Sequence, residues 1–237
     1  MRILSKTTAR ATALVLTLFT LSCSRFLPWG KTTVATEVNL AFTLERNLIE
    51  LQTLHINDQP GRFLLASAAP RTVLDPRFVP NGPHVLQISE KETMRITPSR
   101  LDLGGVADGI IGADAWGNRA ISIDYRAGLV TYQKEGIHTG LMTLYRYDAE
   151  PQIEVSVNGT NVAAVVDTTS PDTLVLPSQT NSRGSVRVAI AGSDFGVTDV
   201  RYAPVSRARV GNRLLSRFLV TIDYGKRVVG LWRDPRI

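Results

Sequence analysis

Cysteine is nearly missing from this chain: Cys23 is the only one in 237 residues. An internal disulfide is therefore excluded, and the fold must rest on its apolar core. Histidine is scarce as well. His55, His84 and His138 lie far apart and have no cysteine or carboxylate at metal-ligand spacing, so no metal and no other cofactor is expected. The apolar run from Ala11 to Leu21 falls well short of the roughly 20 residues that a membrane-spanning helix needs. A basic stripe interleaved with aromatics is also lacking, which argues against a nucleic-acid partner. What the chain does have is 43% hydrophobic and 20% charged residues, enough for one compact unit or two small, closely joined ones.

The N-terminus carries the layout of an export signal. Arg2, Lys6 and Arg10 precede the apolar run, and Ser22 follows it. Of 27 Lys and Arg, those three belong to the signal. The remaining 24 face 21 Asp and Glu, so the mature part is only mildly basic. The stretch Thr20-Leu21-Ser22-Cys23 resembles a bacterial lipoprotein processing site, with Thr20 where such sites carry an aliphatic residue. The resemblance implies cleavage before Cys23 and acylation of its sulfur. Residues 1–22 are then the signal peptide and 23–36 a tether. The protein is expected in a bacterial cell envelope, anchored to the membrane by lipidated Cys23 on the periplasmic face; a plainly secreted product is the alternative.

A search for internal repeats reorganises the rest. The segment from His55 to Pro76 aligns with that from Ser156 to Pro177 at a constant offset of 101, matching Asn57 with Asn158, Pro70 with Pro171 and Thr72 with Thr173. A second block, Ile111-Gly112 through Ile123-Asp124-Tyr125, recurs 99 residues later as Val210-Gly211 through Ile222-Asp223-Tyr224. Two blocks in the same order imply duplication of a unit of about 100 residues.

Each copy reads as strands. Ile153, Val155 and Val157 alternate with polar residues, Asn158-Gly159 signals a tight turn, and Val162 to Val166 is an apolar run. Later hairpins are expected near Val85 to Ile96 and Val186 to Tyr202. The boundaries that follow are 37–134 for a first lobe, 135–146 for a linker and 147–237 for a second lobe.

These residues resemble the retropepsin-like aspartic protease family over most of the chain, from about Leu48 to Trp232. Three elements carry the likeness: an apolar strand ending in an Asp-Thr-Gly-type turn, seen in Val165-Val166-Asp167-Thr168-Thr169-Ser170; an apolar-apolar-Gly element, seen in Gly109-Ile110-Ile111-Gly112; and the closing Ile-Asp-Tyr strand. The resemblance implies an all-β fold of two lobes related by pseudo-twofold symmetry. It also implies a pair of carboxylates, one per lobe, that share a proton and activate a water.

The chain departs from that pattern in both copies. Ala66-Ser67-Ala68 stands in place of the first Asp-Thr-Gly turn, and Thr169 in place of the second glycine. The degenerate site is thus Asp167, Thr168 and Thr169 facing a vacant partner position at Ala66. One carboxylate cannot supply the shared proton, so peptidase activity is expected to be lost. Thr168 is expected to keep a structural hydrogen bond near the lobe junction. The inter-lobe groove, covered by the two hairpins, is expected to take extended peptides by strand addition in a monomer. The alternative is an active endopeptidase that joins Asp167 to a second acid, Asp75 or Asp108, or to a second chain. Asp75 reads more simply as a turn residue, Asp108 as a loop residue, and Asp124 and Asp223 as strand-end residues. The arginines at 207, 209, 213 and 217 read as a solvated face. Gly192-Ser193-Asp194-Phe195-Gly196 is not a nucleophile elbow, since its serine is off-centre.

Overall fold

The computed structural model describes residues 37–78, 83–133 and 141–234; the signal segment, Cys23, the tether and the first part of the expected linker lie outside them. The chain is all-β. The first half supplies β1 (Val38–Glu45), β2 (Leu48–Leu51), β3 (His55–Ile56), β4 (Gln59–Pro60), β5 (Phe63–Leu65), β6 (Val73–Leu74), β7 (His84–Ser89), β8 (Glu92–Ile96), β9 (Ser99–Arg100), β10 (Gly109–Ile111), β11 (Ala120–Asp124) and β12 (Leu129–Gln133). The second supplies β13 (Thr143–Arg146), β14 (Gln152–Val157), β15 (Thr160–Val166), β16 (Leu174–Pro177), β17 (Ser182–Ile190), β18 (Ser193–Ala203), β19 (Ala208–Val210), β20 (Leu219–Asp223) and β21 (Val228–Trp232). A short α-helix, α1 (Asn212–Leu215), follows β19, and a 3-10 turn, Ala113–Ala115, follows β10.

Local sequence explains the hairpins. Asn158 and Gly159 both have positive φ, as do Asn57 and Asp58 in the first copy and Ala191 and Gly192 in the later hairpin. Two-residue turns of this hand match the natural twist of paired strands. Alternation then decides the faces: His84, Leu86 and Ile88 of β7 point inward, as do Val186, Val188 and Ile190 of β17.

Residues separated by the repeat offsets make the same pairings. Phe63 pairs in parallel with Gly109, and Ala164, 101 residues on from Phe63, pairs in parallel with Ala208, 99 on from Gly109. In the β11–β12 hairpin Ile123 faces Val130, and in β20–β21 Ile222 faces Val229. The two hairpins meet edge to edge, where Ser122 faces Thr221 and their hydroxyls lie 2.8 Å apart. The constant offset of 101 slips by one at a single strand. Val73 faces Ile110, whereas Val175, 102 residues later, faces Arg209.

The halves differ in closure. Strands β14, β15, β19, β16, β18 and β17 close into a barrel. Their first-half equivalents split between a four-stranded sheet, β4-β3-β7-β8, and a sheet of eleven strands shared by both halves. The break falls at Pro60-Gly61. Proline cannot donate to a ladder, and a side chain at Gly61 would sit 2.7 Å from the ring of Phe78.

Two sequence expectations change. Part of the expected linker is a strand: Thr143–Arg146 pairs with β21 as Val38–Ala41 pairs with β12. The hairpin tips also lie along the large sheet. Glu92 is salt-bridged to Arg119 at 2.5 Å, just before β11, and Ala191 and Gly192 border a cavity with Thr143, Phe218 and Leu231. That packing holds the tips at the sheet, and no hydrogen bond or ion pair joins them to the Asp167 turn among the described residues.

His84 is the one buried imidazole among the described residues. Its Nε2 lies 3.4 Å from Arg100 and its Nδ1 3.5 Å from the Asn57 amide. Burial, then the Arg100 charge, lowers its pKa below the ordinary 6.5. The unfolded chain thus binds a proton that the folded chain resists, so stability is full above pH 6.5 and declines as pH falls toward the folded-state value. Urea midpoints measured across this interval are expected to fall with pH, and His84→Gln is expected to flatten that slope.

Candidate functional site

The turns carrying Ala66 and Asp167 follow equivalent strands and are tied down alike. The Ala66 amide donates to the Ile111 carbonyl at 2.9 Å, and the Asp167 amide to the Val210 carbonyl at 3.0 Å. Each turn then closes on itself, Ala69 N to Ala66 O and Ser170 N to Asp167 O. The glycines of the apolar-apolar-Gly elements permit this stacking. A Cβ on Gly112 would meet the Arg71 carbonyl oxygen at 2.6 Å, and one on Gly211 the Ser170 oxygen at 2.6 Å.

The two turns are locked together by their next residues. The Ser67 amide donates to Thr168 Oγ1 at 2.9 Å, and the Thr168 amide to Ser67 Oγ at 3.1 Å. Each hydroxyl in turn donates to a carbonyl in the other half: Ser67 Oγ to Val166 O at 2.5 Å, Thr168 Oγ1 to Leu65 O at 2.7 Å. All four bonds are buried. Ser67 therefore performs the same work as Thr168, which a reading of Ala66-Ser67-Ala68 as wholesale replacement overlooked; the signal was a hydroxyl residue aligned with Thr168 at offset 101.

The tyrosines of the two Ile-Asp-Tyr strands brace the lock. Tyr224 donates to the Ser67 carbonyl at 3.2 Å. Tyr125 donates to Asn212 Oδ1, and the Asn212 amide donates to the Thr168 carbonyl at 2.7 Å. Burial pushes both phenols far above the ordinary range, so both remain donors.

Asp167 is buried, and both its oxygens are occupied. Oδ1 accepts from the Thr169 amide at 2.9 Å and the Thr169 hydroxyl at 2.5 Å. Oδ2 accepts from Arg209 Nη1 at 2.8 Å. Arg209 was read as part of a solvated face. Its neighbours Val210 and Gly211 align with Ile111 and Gly112, which puts it where the first half has Ile110, beside the turn.

The other acids weighed as partners are engaged elsewhere. Asp75 is gripped by the Arg77 guanidinium, which holds its carboxyl well below the usual range, and also accepts from the Arg77 and Leu103 amides. Asp108 accepts from the Arg62 amide at 2.8 Å. Asp124 and Asp223 cap the turns after their strands, accepting from Arg126 and Lys226 amides. Cavities of about 780, 470 and 640 Å³ border other parts of the chain, and none has Ala66 to Ala68 or Asp167 to Thr169 in its wall. No family model matches this chain, and no curated protein matches it either.

Two changes test these contacts. Thr168→Val strands the Ser67 amide and the Leu65 carbonyl, a loss expected at about 2–4 kcal/mol from two buried, unsatisfied groups. Combined with Ser67→Ala it should show coupling of about 0.5–3 kcal/mol in denaturant titrations. Arg209→Leu leaves a buried carboxylate unpaired; with Arg209 itself 37% exposed, the expected loss is about 1–3 kcal/mol, and adding Asp167→Leu should recover most of it.

Proposed function

We propose that this chain is a peptidase-inactive relative of the two-lobed aspartic proteases, held in a bacterial cell envelope through lipidated Cys23 and binding extended peptides between its lobes. The lobes are the two repeat copies, related by a pseudo-twofold axis that passes between Ser122 and Thr221. Equal pairings at offsets of 99 and 101 and the exchange of bonds between Ser67 and Thr168 support that reading.

One observation carries the loss of activity. Asp167 faces a turn whose equivalent residue is Ala66, and its own oxygens are spent on Arg209 and Thr169. Acid protease chemistry needs two carboxylates sharing a proton around a water. Here the single carboxylate is paired with a cation, Arg209, in place of a second acid. Recruitment of a second chain is disfavoured too, because the Thr168 hydroxyl and amide are already satisfied within one chain. Strand addition needs backbone groups rather than acids, so peptide binding survives this loss.

Incubation of the full-length protein with unfolded substrates at acidic and neutral pH tests the proposal, with Asp167→Ala as control. Wild type and control are expected to be equally inert. Cleavage that disappears in Asp167→Ala would overturn it. Calorimetric titration with extended peptides tests the binding half separately.

A further inference from the structure

Two cross-strand rows flank the turns, and their chemistry differs. In the second half, residues paired in register run from Val165 to Arg209, Val175, Arg201 and Arg183 across β15, β19, β16, β18 and β17. Directly paired residues share a face of the sheet, and Arg209 reaches Asp167, so the whole row lies on the Asp167 side. Val165 and Val175 are buried yet stand outside the barrel's core cluster, as expected for the outer face of a barrel under arginine stems. In the first half the positions matching Val165, Arg209 and Val175 are all apolar, Leu64, Ile110 and Val73, and the row ends in Glu50 beside Leu64 and Ser99 beside Val73.

The arginine row is not electrostatically closed. Arg209 gives one bond to Asp167 and Arg201 one to Asp172 at 2.6 Å, out of five donors on each guanidinium. The Arg183 side chain is exposed and makes no hydrogen bond or ion pair with another described residue. It stands directly opposite Arg201, and like charges in that position repel. Asp199, on the neighbouring position of the same face, is bonded to Ser185 at 3.0 Å. Neighbouring strands lie about 4.8 Å apart, so the three guanidiniums span roughly 15 Å, the length of about four extended residues.

We infer that this row is a recognition surface for acidic side chains, and that the peptide the protein takes is an extended segment pairing Asp or Glu residues with an apolar stretch. The acidic part lies on Arg209, Arg201 and Arg183, relieving the repulsion between the last two. The apolar part lies on Leu64, Ile110 and Val73. The inference rests on the peptide-binding reading above and names its ligand class.

Fluorescence anisotropy with the full-length protein tests it. The probes are a labelled peptide joining an Asp run to Val-Leu-Val and its counterpart with Asn for Asp. At low salt the acidic peptide is expected to bind about tenfold more tightly, a preference that shrinks as salt rises. Arg183→Glu, at an exposed position, should leave the melting temperature unchanged and remove most of the preference, while Arg183→Lys keeps part of it. Equal affinity for both peptides would overturn this inference and leave peptide binding standing. Failure of both peptides to bind would overturn the peptide-binding reading with it.

Discussion

The exchange of hydroxyls between Ser67 and Thr168 is the constraint on which the site depends. Four buried bonds satisfy two turn amides and two strand-end carbonyls, and each group's partner belongs to the other half of the chain. Ser67 and Thr168 are themselves buried, so the partners of these groups come from the protein. The lock also sets chemistry. It fixes Ala66 and Asp167 on adjoining turns, so what stands at one position decides what the other can do.

At position 167 that outcome is a carboxylate used as structure. A lone buried charge is costly unless paired and hydrogen-bonded, and Arg209 with Thr169 meets both conditions. The place of a second acid is taken in electrostatic effect by a cation. The same arginine opens a row of like charges along the outer face of the barrel.

Much of this was legible in the residues alone. The offsets of 101 and 99, the tight turn at Asn158-Gly159, and the alternation in β7 and β17 carry their periods openly, because turn and strand preferences are local. The slip at Val73 was not visible, since a one-residue shift in a two-residue strand leaves matched prolines on both sides. Thr143–Arg146 was hidden for a related reason: the strand is mostly exposed and shows no apolar alternation. Arg209 was misread because its partner is 42 residues away and only the register of β19 against β15 brings them together. Ser67 was overlooked because attention to the missing acid concealed a hydroxyl that keeps its neighbour's role.

Hydrogen exchange followed by NMR at the amides of Ser67 and Thr168 tests the lock most directly. Neither amide has a backbone partner, so each is shielded only through the other residue's hydroxyl. The account predicts strong protection of both in the wild type, and selective loss at Ser67 when Thr168 becomes valine in a chain that stays folded. Rapid exchange of both amides in the wild type, with the neighbouring strands protected, would contradict it.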